Sequence, residues 1–288
     1  MTGLFHLGQL LKGKRDRYII TKELQESVWL AKSQNKQHVI IKGVRHFRLT
    51  NESDVLYRFQ NRTPFIRPLL DEIIDPSDPP AIVLRHLDDH LLNASSAQKL
   101  TTPEVKYIAK RILEALKLLH ADGFVHTDVK PDNVLVNYGV GDIRFTDVQL
   151  ADMGSTVPAN SAYAKDGDMI GAPIWRSPEA HLQIGWDTPT DIWSFGALDY
   201  ELKILMRQCQ FFGPFPLSYQ EIAGAETLNI LSYIHQSLAP GMQKPFALIS
   251  EREVSKEDKN FILKIMKLDP RDRPSAGTLL EDEWFRIE

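Results

Sequence analysis

One polar segment near the middle of the chain constrains its fold and chemistry more than any other feature. It runs from His126 to Asn133 with the sequence HTDVKPDN, after a helical pattern and before a short β-rich run. Asp128 can orient a hydroxyl group and accept its proton. Lys130 can neutralise a phosphoryl group in transit, and Asn133 can ligate Mg²⁺. We therefore predict catalytic roles for these three residues and a packing role for His126.

Two further signals point to phosphate and metal binding. Asp152 opens the sequence Asp-Met-Gly after the next strand pair, and an aspartate there can hold Mg²⁺ between phosphates. Lys42 ends the apolar run 39–41, where an unpaired buried ammonium is costly. Glu52 is its natural partner. A purely structural ion pair would explain Lys42 and Glu52 equally well, so that alternative stays open.

The order of the local signals predicts an α+β fold with a small β-rich N-lobe and a larger helical C-lobe. Gly123 ends the first long helix. The predicted strands are 28–31, 38–41, 81–84, 134–136 and 143–145. The predicted helices are 50–59, 101–122, 190–205, 225–238 and 256–266. We place an N-terminal extension at 1–17, the N-lobe at 18–86 and the C-lobe at 88–288, with the boundary near Leu87.

Composition argues against several classes of protein. The net charge of −4 disfavours a nucleic-acid or membrane-surface protein, because both usually present a concentrated basic face. Cys209 is the only cysteine, which rules out an intrachain disulfide and a cysteine-based zinc site. Residues 1–11 lack the basic leader of a signal peptide. We expect an intracellular protein, cytoplasmic or nuclear, and a monomer.

The order of Lys42, the segment 126–133 and Asp152 along the chain resembles that of the eukaryotic protein kinase superfamily. The resemblance extends from about residue 18 to the C-terminus. The resemblance implies a bilobal, ATP- and Mg²⁺-dependent kinase that phosphorylates proteins. Asp128 matches the catalytic base, and Asn133 and Asp152 match the magnesium ligands. Lys130, in the setting Lys-Pro-x-Asn, resembles the serine/threonine-specific form of the loop.

The same resemblance implies a nucleotide site in the first third of the chain and beside the catalytic loop. Lys42 matches the strand lysine that contacts the α- and β-phosphates, and Glu52 matches its partner on the following helix. Val28, Leu87 and Leu135 match apolar residues that contact the nucleotide.

Later residues extend the likeness and suggest a subgroup. The motif 177–179 resembles the Ala-Pro-Glu motif, 191–196 resembles the central helix of the large lobe, and Arg273 matches the arginine that pairs with the motif's glutamate. Arg176 is typical of the group that contains the cyclin-dependent, MAP and SR-protein kinases. Residues 28–31 and the His-Thr-Asp spelling are most similar to SR-protein kinases.

The chain departs from the family pattern at four places. Lys42 and Glu52 are close in sequence, so we expect the helix that carries Glu52 to be short at its start. Residues 25–27 stand where a glycine-rich loop normally covers the phosphates, so we expect weaker ATP binding or a slower rate. Ile40 replaces an alanine and can crowd the adenine. Thr127 replaces the arginine that commonly binds a phosphate group on the activation loop. We therefore expect activity without phosphorylation of residues 155–163.

The sequence leaves the following alternatives. An active serine/threonine kinase fits all the charged and metal-binding positions. An interaction module of the same fold with little or no turnover fits the missing glycine-rich loop. A small-molecule kinase is disfavoured by the motif at 177–179. For substrates, Asp199 and Glu201 favour basic or Arg/Ser-rich proteins, although a solvated acidic surface explains them equally well.

Overall fold

The chain forms two compact units that alternate along the sequence. The computed structural model describes residues 5–141, 143–196, 208–237 and 244–287. Unit 1 comprises Met1–Glu104 and Pro131–Thr156, and unit 2 comprises Val105–Lys130 and Val157–Glu288. Both units contain part of the polar segment 126–133. The predicted lobe boundary near Leu87 and the division at residue 17 stay predictions.

Six strands of unit 1 close into an antiparallel barrel in the order β1-β2-β3-β4-β6-β5. They are β1 Leu10–Gly13, β2 Arg17–Gln25, β3 Val28–Ser33, β4 His38–Gly43, β5 Leu69–Asp75 and β6 Ala81–Arg85. Alternate side chains point inwards. Together with Phe5, which precedes β1, they form an apolar core of Leu11, Tyr18, Ile20, Trp29, Ala31, Val39, Ile41, Ile73, Ala81 and Val83. Strand β1, inside the predicted N-terminal extension, closes the barrel by pairing with β2 and β5.

A buried carboxylate fastens the barrel where β1 turns into β2. Asp71 Oδ2 accepts hydrogen bonds from the Tyr18 hydroxyl at 2.9 Å and from the backbone amides of Arg15 at 3.0 Å and Asp16 at 3.1 Å. A Cβ on Gly13 would lie 2.2 Å from that oxygen, so this position requires glycine. Burial, followed by the bond to Asp71, raises the pKa of Tyr18, which therefore donates the hydrogen bond.

Helix α1 (Phe47–Phe59) follows β4 in unit 1 and starts earlier than predicted. The predicted range began at Thr50, which can cap a helix, but the imidazole of His46 accepts the Arg48 amide at the N-cap position instead. Histidine is not among the residues usually preferred there, which explains why the sequence pattern missed this start.

The remaining elements of unit 1 include a second sheet, in the order β10-β9-β7. These elements are β7 Asp89–His90, α2 Leu91–Ala97, β9 Val134–Tyr138 and β10 Phe145–Leu150. The strand predicted over 143–145 starts later than predicted and runs further, because pairing with β9 begins at Phe145, opposite Tyr138.

Unit 2 is mainly helical and carries one two-stranded sheet. Helix α3 (Thr102–Ala121) ends before Gly123, whose φ of 73° suits glycine. The sheet pairs β8 Phe124–Val125 with β11 Val157–Pro158. The later helices are α4 Ala162–Asp166, α5 Pro178–His181, α6 Pro189–Gly196, α7 Ala225–Ser237, α8 Lys256–Ile265 and α9 Ala276–Leu280.

The second half of the predicted helix 190–205, with Asp199 and Glu201, lies outside the described residues. Within the described ranges, every helix is too short or too polar to cross a membrane.

Candidate active site

The Lys42 ammonium lies between two carboxylates in unit 1. Its Nζ atom is 2.6 Å from Glu52 Oε2 and 2.8 Å from Asp152 Oδ1. β4 presents the lysine and α1 presents Glu52, the partner that we predicted for it. The Glu52 side chain is 2% exposed, whereas that of Asp152 is 43% exposed. Glu52 is therefore a buried anchor, and the Asp152 carboxylate is accessible to a ligand.

The charges of this cluster balance one another. Burial lowers the pKa of Lys42, but the attraction and hydrogen bonds of Glu52 and Asp152 together outweigh burial and raise the pKa above its usual value. Burial also lowers the pKa of the Arg67 guanidinium to about 10, opposed by the same two carboxylates. Arg67 thus stays cationic at neutral pH. The sequence reasoning missed this second cation, because no motif marks it.

The hairpin of β9 and β10 brings Asn133 and Asp152 to one end. Val134 pairs with Leu150, and the Ala151 amide donates to the Asn133 carbonyl at 2.8 Å, which extends the ladder by one residue on each strand. Asp152 follows directly, with φ 63° and ψ 67°. This left-handed backbone is strained for a residue other than glycine and persists only when its surroundings fix it. Four predicted residues, Lys42, Glu52, Asn133 and Asp152, therefore belong to unit 1.

The other two predicted catalytic residues lie together in unit 2. Asp128 Oδ2 is 2.7 Å from Lys130 Nζ, and the Asp128 amide donates to His126 Nδ1 at 3.2 Å. The His126 side chain is fully buried, which is the packing environment we predicted for it. Lys130 thus lies beside the carboxylate that we expect to accept a proton.

Asp191 fixes the backbone of this loop from the start of α6. Its carboxylate accepts the His126 amide at 2.8 Å and the Thr127 amide at 2.9 Å, and it lies 2.9 Å from His120 Nε2. Thr127 has a φ of 70°, so it is another strained residue held by a buried group. The sequence pointed to Asp191 only as part of a helix, because its partners lie more than 60 residues away.

The segment before α5 packs closely against the same loop. Gly171 has a φ of 62°, and a Cβ there would lie 2.7 Å from the Thr127 carbonyl oxygen. The Arg176 guanidinium donates to the carbonyls of Ile170 at 2.6 Å and Gly171 at 2.9 Å. Glycine is thus required where this segment passes Thr127.

The predicted pair of Glu179 and Arg273 is present in unit 2. The Arg273 guanidinium donates two hydrogen bonds to the Glu179 carboxylate, at 2.7 Å and 3.0 Å. The Arg273 side chain is 0% exposed and that of Glu179 is 1% exposed. This buried pair joins α5 to the chain before α9.

The remaining predicted nucleotide contacts lie in or beside strands of unit 1. Val28 pairs with Lys42 across β3 and β4. Leu135 lies in β9, paired with His90 of β7, and Leu87 is buried just before that strand. Ile40 is also buried. Contacts of these apolar side chains with a nucleotide stay predictions.

A tight hairpin replaces the glycine-rich loop. Gln25 pairs with Val28, which leaves only Glu26 and Ser27 in the turn, and Ser27 has a φ of 67°. The Ser27 carbonyl accepts the Gly43 amide at 3.0 Å, which ties the turn to the end of β4. A two-residue turn therefore joins β2 to β3 where the family pattern has a glycine-rich loop.

Comparison with known proteins gives concordant results. A family model described as "Protein kinase domain" matches residues 17–285. Serine/threonine-protein kinase CLA4 of Saccharomyces cerevisiae is 27% identical over 261 residues, which cover 88% of this chain and 28% of CLA4. Serine/threonine-protein kinase KIC1 of the same yeast is 30% identical over 190 residues, 65% of this chain and 15% of KIC1. The chain thus spans less than a third of either relative.

A solved structure gives the same fold. A chain in the crystal structure of the yeast RNA Pol II CTD kinase CTDK-1 complex matches with a TM-score of 0.76 at 18% identity, covering 94% of this chain and 93% of that chain. This confirms the predicted α+β, protein-kinase-like fold, while the likeness to SR-protein kinases stays a prediction. The family match extends over nearly the whole sequence, and the chain belongs to the protein kinase domain family.

Proposed function

We propose that this chain is a protein serine/threonine kinase domain, which transfers the γ-phosphoryl group of ATP to serine or threonine hydroxyls of proteins. The observation that carries the proposal is the Lys42 ammonium bonded to both Glu52 and Asp152, with Asn133 at the same hairpin end as Asp152. A structural ion pair alone needs only one carboxylate and gives no reason for a half-exposed second one.

The side chains of unit 1 fit ATP and Mg²⁺. Protein kinases generally use both, and Mg²⁺ prefers oxygen ligands from one or two protein groups together with substrate phosphates. Asp152 and Asn133 supply such oxygens, and the 43% exposure of the Asp152 side chain leaves it open to a metal. Bound Mg²⁺ would neutralise charge on the phosphates. Lys42, 24% exposed, can donate to phosphate oxygens without leaving Glu52.

Asp128 and Lys130 would act on the acceptor and on the transferred group. The Asp128 carboxylate orients the serine or threonine hydroxyl and accepts its proton. Lys130, 2.7 Å away, supplies positive charge for the phosphoryl group. Asp191 keeps the backbone of this loop in its strained form, so that the carboxylate needs no reorganisation during transfer.

The two-residue turn at Glu26 and Ser27 lowers the expected affinity for ATP. It offers fewer backbone amides to phosphate oxygens than a glycine-rich loop does, and Glu26 adds a negative charge. We therefore expect a rate below the usual ~1–100 s⁻¹ of this class. An interaction module with no turnover is the competing function, and the complete set of charged residues speaks against it.

The substrate and assembly are also proposals. We propose basic or Arg/Ser-rich protein substrates, a monomeric chain and no nucleic-acid or membrane partner. The net charge of −4 supports a preference for basic substrates. We also propose an intracellular location, cytoplasmic or nuclear, which the single cysteine supports because it fits a reducing compartment.

Phosphate transfer from γ-labelled ATP to matched peptides tests the proposal. The peptides carry Ser, Thr, Tyr or Ala at the acceptor position in an Arg/Ser-rich and in an acidic background. We expect Mg²⁺-dependent labelling of the Ser and Thr peptides only. Asp128→Asn should abolish transfer, whereas Asp166→Asn, a matched change at an exposed residue of unit 2, should leave it unchanged. Equal labelling by wild type and Asp128→Asn would overturn the proposal.

A further inference from the structure

The side-chain amide of Asn51 binds the backbone that follows Asp152. Its Nδ2 atom lies 2.8 Å from the Thr156 carbonyl oxygen, 3.1 Å from that of Gly154 and 3.4 Å from that of Met153. An amide nitrogen carries two hydrogens, so the two shorter contacts satisfy them and the third is shared. The Asn51 side chain on α1 thus contacts three carbonyl oxygens that lie about 100 residues further along the sequence.

Helix α1 packs tightly on this turn. Met153–Ser155 form a short 3-10 helix, and a Cβ on Gly154 would lie 3.3 Å from the Arg48 carbonyl oxygen of α1. The close approach lets the short Asn51 side chain reach the carbonyls. Thr156, which ends the turn, is fully buried.

Asn51 and Glu52 are neighbours on α1 and fix Asp152 from two directions. Glu52 binds Lys42, which in turn binds the Asp152 side chain. Asn51 binds the backbone directly after it. Asp152 has left-handed backbone angles, which are strained for a residue other than glycine. The conformation therefore depends on neighbours, and Asn51 provides the attachment on the C-terminal side.

We propose that Asn51 is a positioning residue for phosphoryl transfer, which locks the 153–156 turn to α1 and so keeps the Asp152 carboxylate where Mg²⁺ is to bind. The proposal rests on the proposed kinase function. The attachment is made by the uncharged side chain of Asn51, which belongs to this chain. It needs no phosphate on residues 155–163, which agrees with threonine at position 127.

The kinetic test varies free Mg²⁺ and ATP separately in the peptide transfer assay. Asn51→Asp keeps the shape but loses the donor, Asn51→Ala removes the side chain, and Asn51→Gln keeps an amide. Asp54→Ala is the control, an exposed residue on the same helix.

We expect the Ala and Asp variants of Asn51 to lower kcat about tenfold and to raise the half-saturating Mg²⁺ concentration by a similar factor. The KM for ATP should change by less than about twofold, because Lys42 is untouched. Asn51→Gln should recover part of the loss, and Asp54→Ala should match wild type. If Asn51 had only a structural role, its replacement would lower activity without changing the half-saturating Mg²⁺ concentration. Wild-type Mg²⁺ profiles in both Asn51→Ala and Asn51→Asp would overturn the proposal.

Amide hydrogen exchange of peptides covering residues 151–158 gives a readout that needs no activity. Both variants should exchange about tenfold faster there than wild type, with Asp54→Ala unchanged. Unchanged exchange would refute the lock. If wild type transfers no phosphate above the Asp128→Asn background, the kinase function fails, and the exchange result still decides whether Asn51 holds the turn.

Discussion

Arg273 provides the sharpest test of the packing in unit 2, because its guanidinium is fully buried and fully bonded. Besides the two bonds to Glu179, it donates to the carbonyls of Lys267 at 2.7 Å, Pro189 at 3.0 Å and Leu268 at 3.1 Å. Those five bonds use every N–H of the group. A lysine offers three donors on one atom and cannot reproduce this fork.

The structure sets the size of the expected effect. Arg273→Met leaves the Glu179 carboxylate, 1% exposed, without its counter-charge, and breaking a buried pair in this way costs about 3–5 kcal/mol. Arg273→Lys keeps a charge but loses the two-pronged grip, so we expect about 2–3 kcal/mol. Glu179→Leu combined with Arg273→Met removes both charges and should be more stable than Arg273→Met alone.

Urea unfolding followed by tryptophan fluorescence measures these differences, and Arg252→Lys serves as the control. Arg252 is exposed, so its replacement should change the unfolding free energy by less than about 0.5 kcal/mol. An Arg273→Met variant within about 1 kcal/mol of wild type would refute the reasoning, since the cost of an unpaired buried charge exceeds that value. So would a double variant less stable than the single one.

Three further predictions address the nucleotide, regulation and pH. Mg·ATP at a hundred times its Kd should raise the unfolding free energy of wild type by ~2.7 kcal/mol, measured by thermal shift. Lys42→Met should abolish this stabilisation. A shift equal to that of wild type would contradict a phosphate-binding role for Lys42. Phosphatase treatment should leave kinase activity intact, because Thr127 supplies no charge to gather a phosphate on residues 155–163; loss of activity would count against this. Burial, then Arg176, lowers the pKa of His181 from 6.5 to about 4. The folded state therefore binds fewer protons there, so stability is full above pH 6.5 and falls by roughly 3 kcal/mol as the pH drops to about 4. His181→Gln should remove that pH dependence, and an identical pH profile would show that His181 is not its source.

The sequence predicted the elements whose signals are local. Strands β3 and β4 follow from their apolar runs and the turn between them. Helix α3 follows from its capping box, in which Glu104 accepts the Thr101 amide at 2.7 Å. The Lys42–Glu52 pair was predictable because a buried ammonium at a strand end needs a partner on the next element.

Features that depend on distant residues were not predictable in this way. The roles of Asn51 and Asp191 arise from contacts with backbone groups more than 60 residues away, and nothing in the local sequence marks those carbonyls or amides. The closure of the barrel by β1 likewise depends on pairing with β5, at the far end of the sheet. The start of α1 was missed because its cap is a histidine.

A crystal structure with Mg²⁺ and a non-hydrolysable ATP analogue tests the central claim most directly. We predict a Mg²⁺ ion coordinated by oxygens of Asp152 and Asn133 at about 2.0–2.1 Å, with Lys42 Nζ within hydrogen-bonding distance of an α- or β-phosphate oxygen. A nucleotide bound elsewhere, or a triphosphate that touches none of these three side chains, would contradict the assignment of this chain as a kinase.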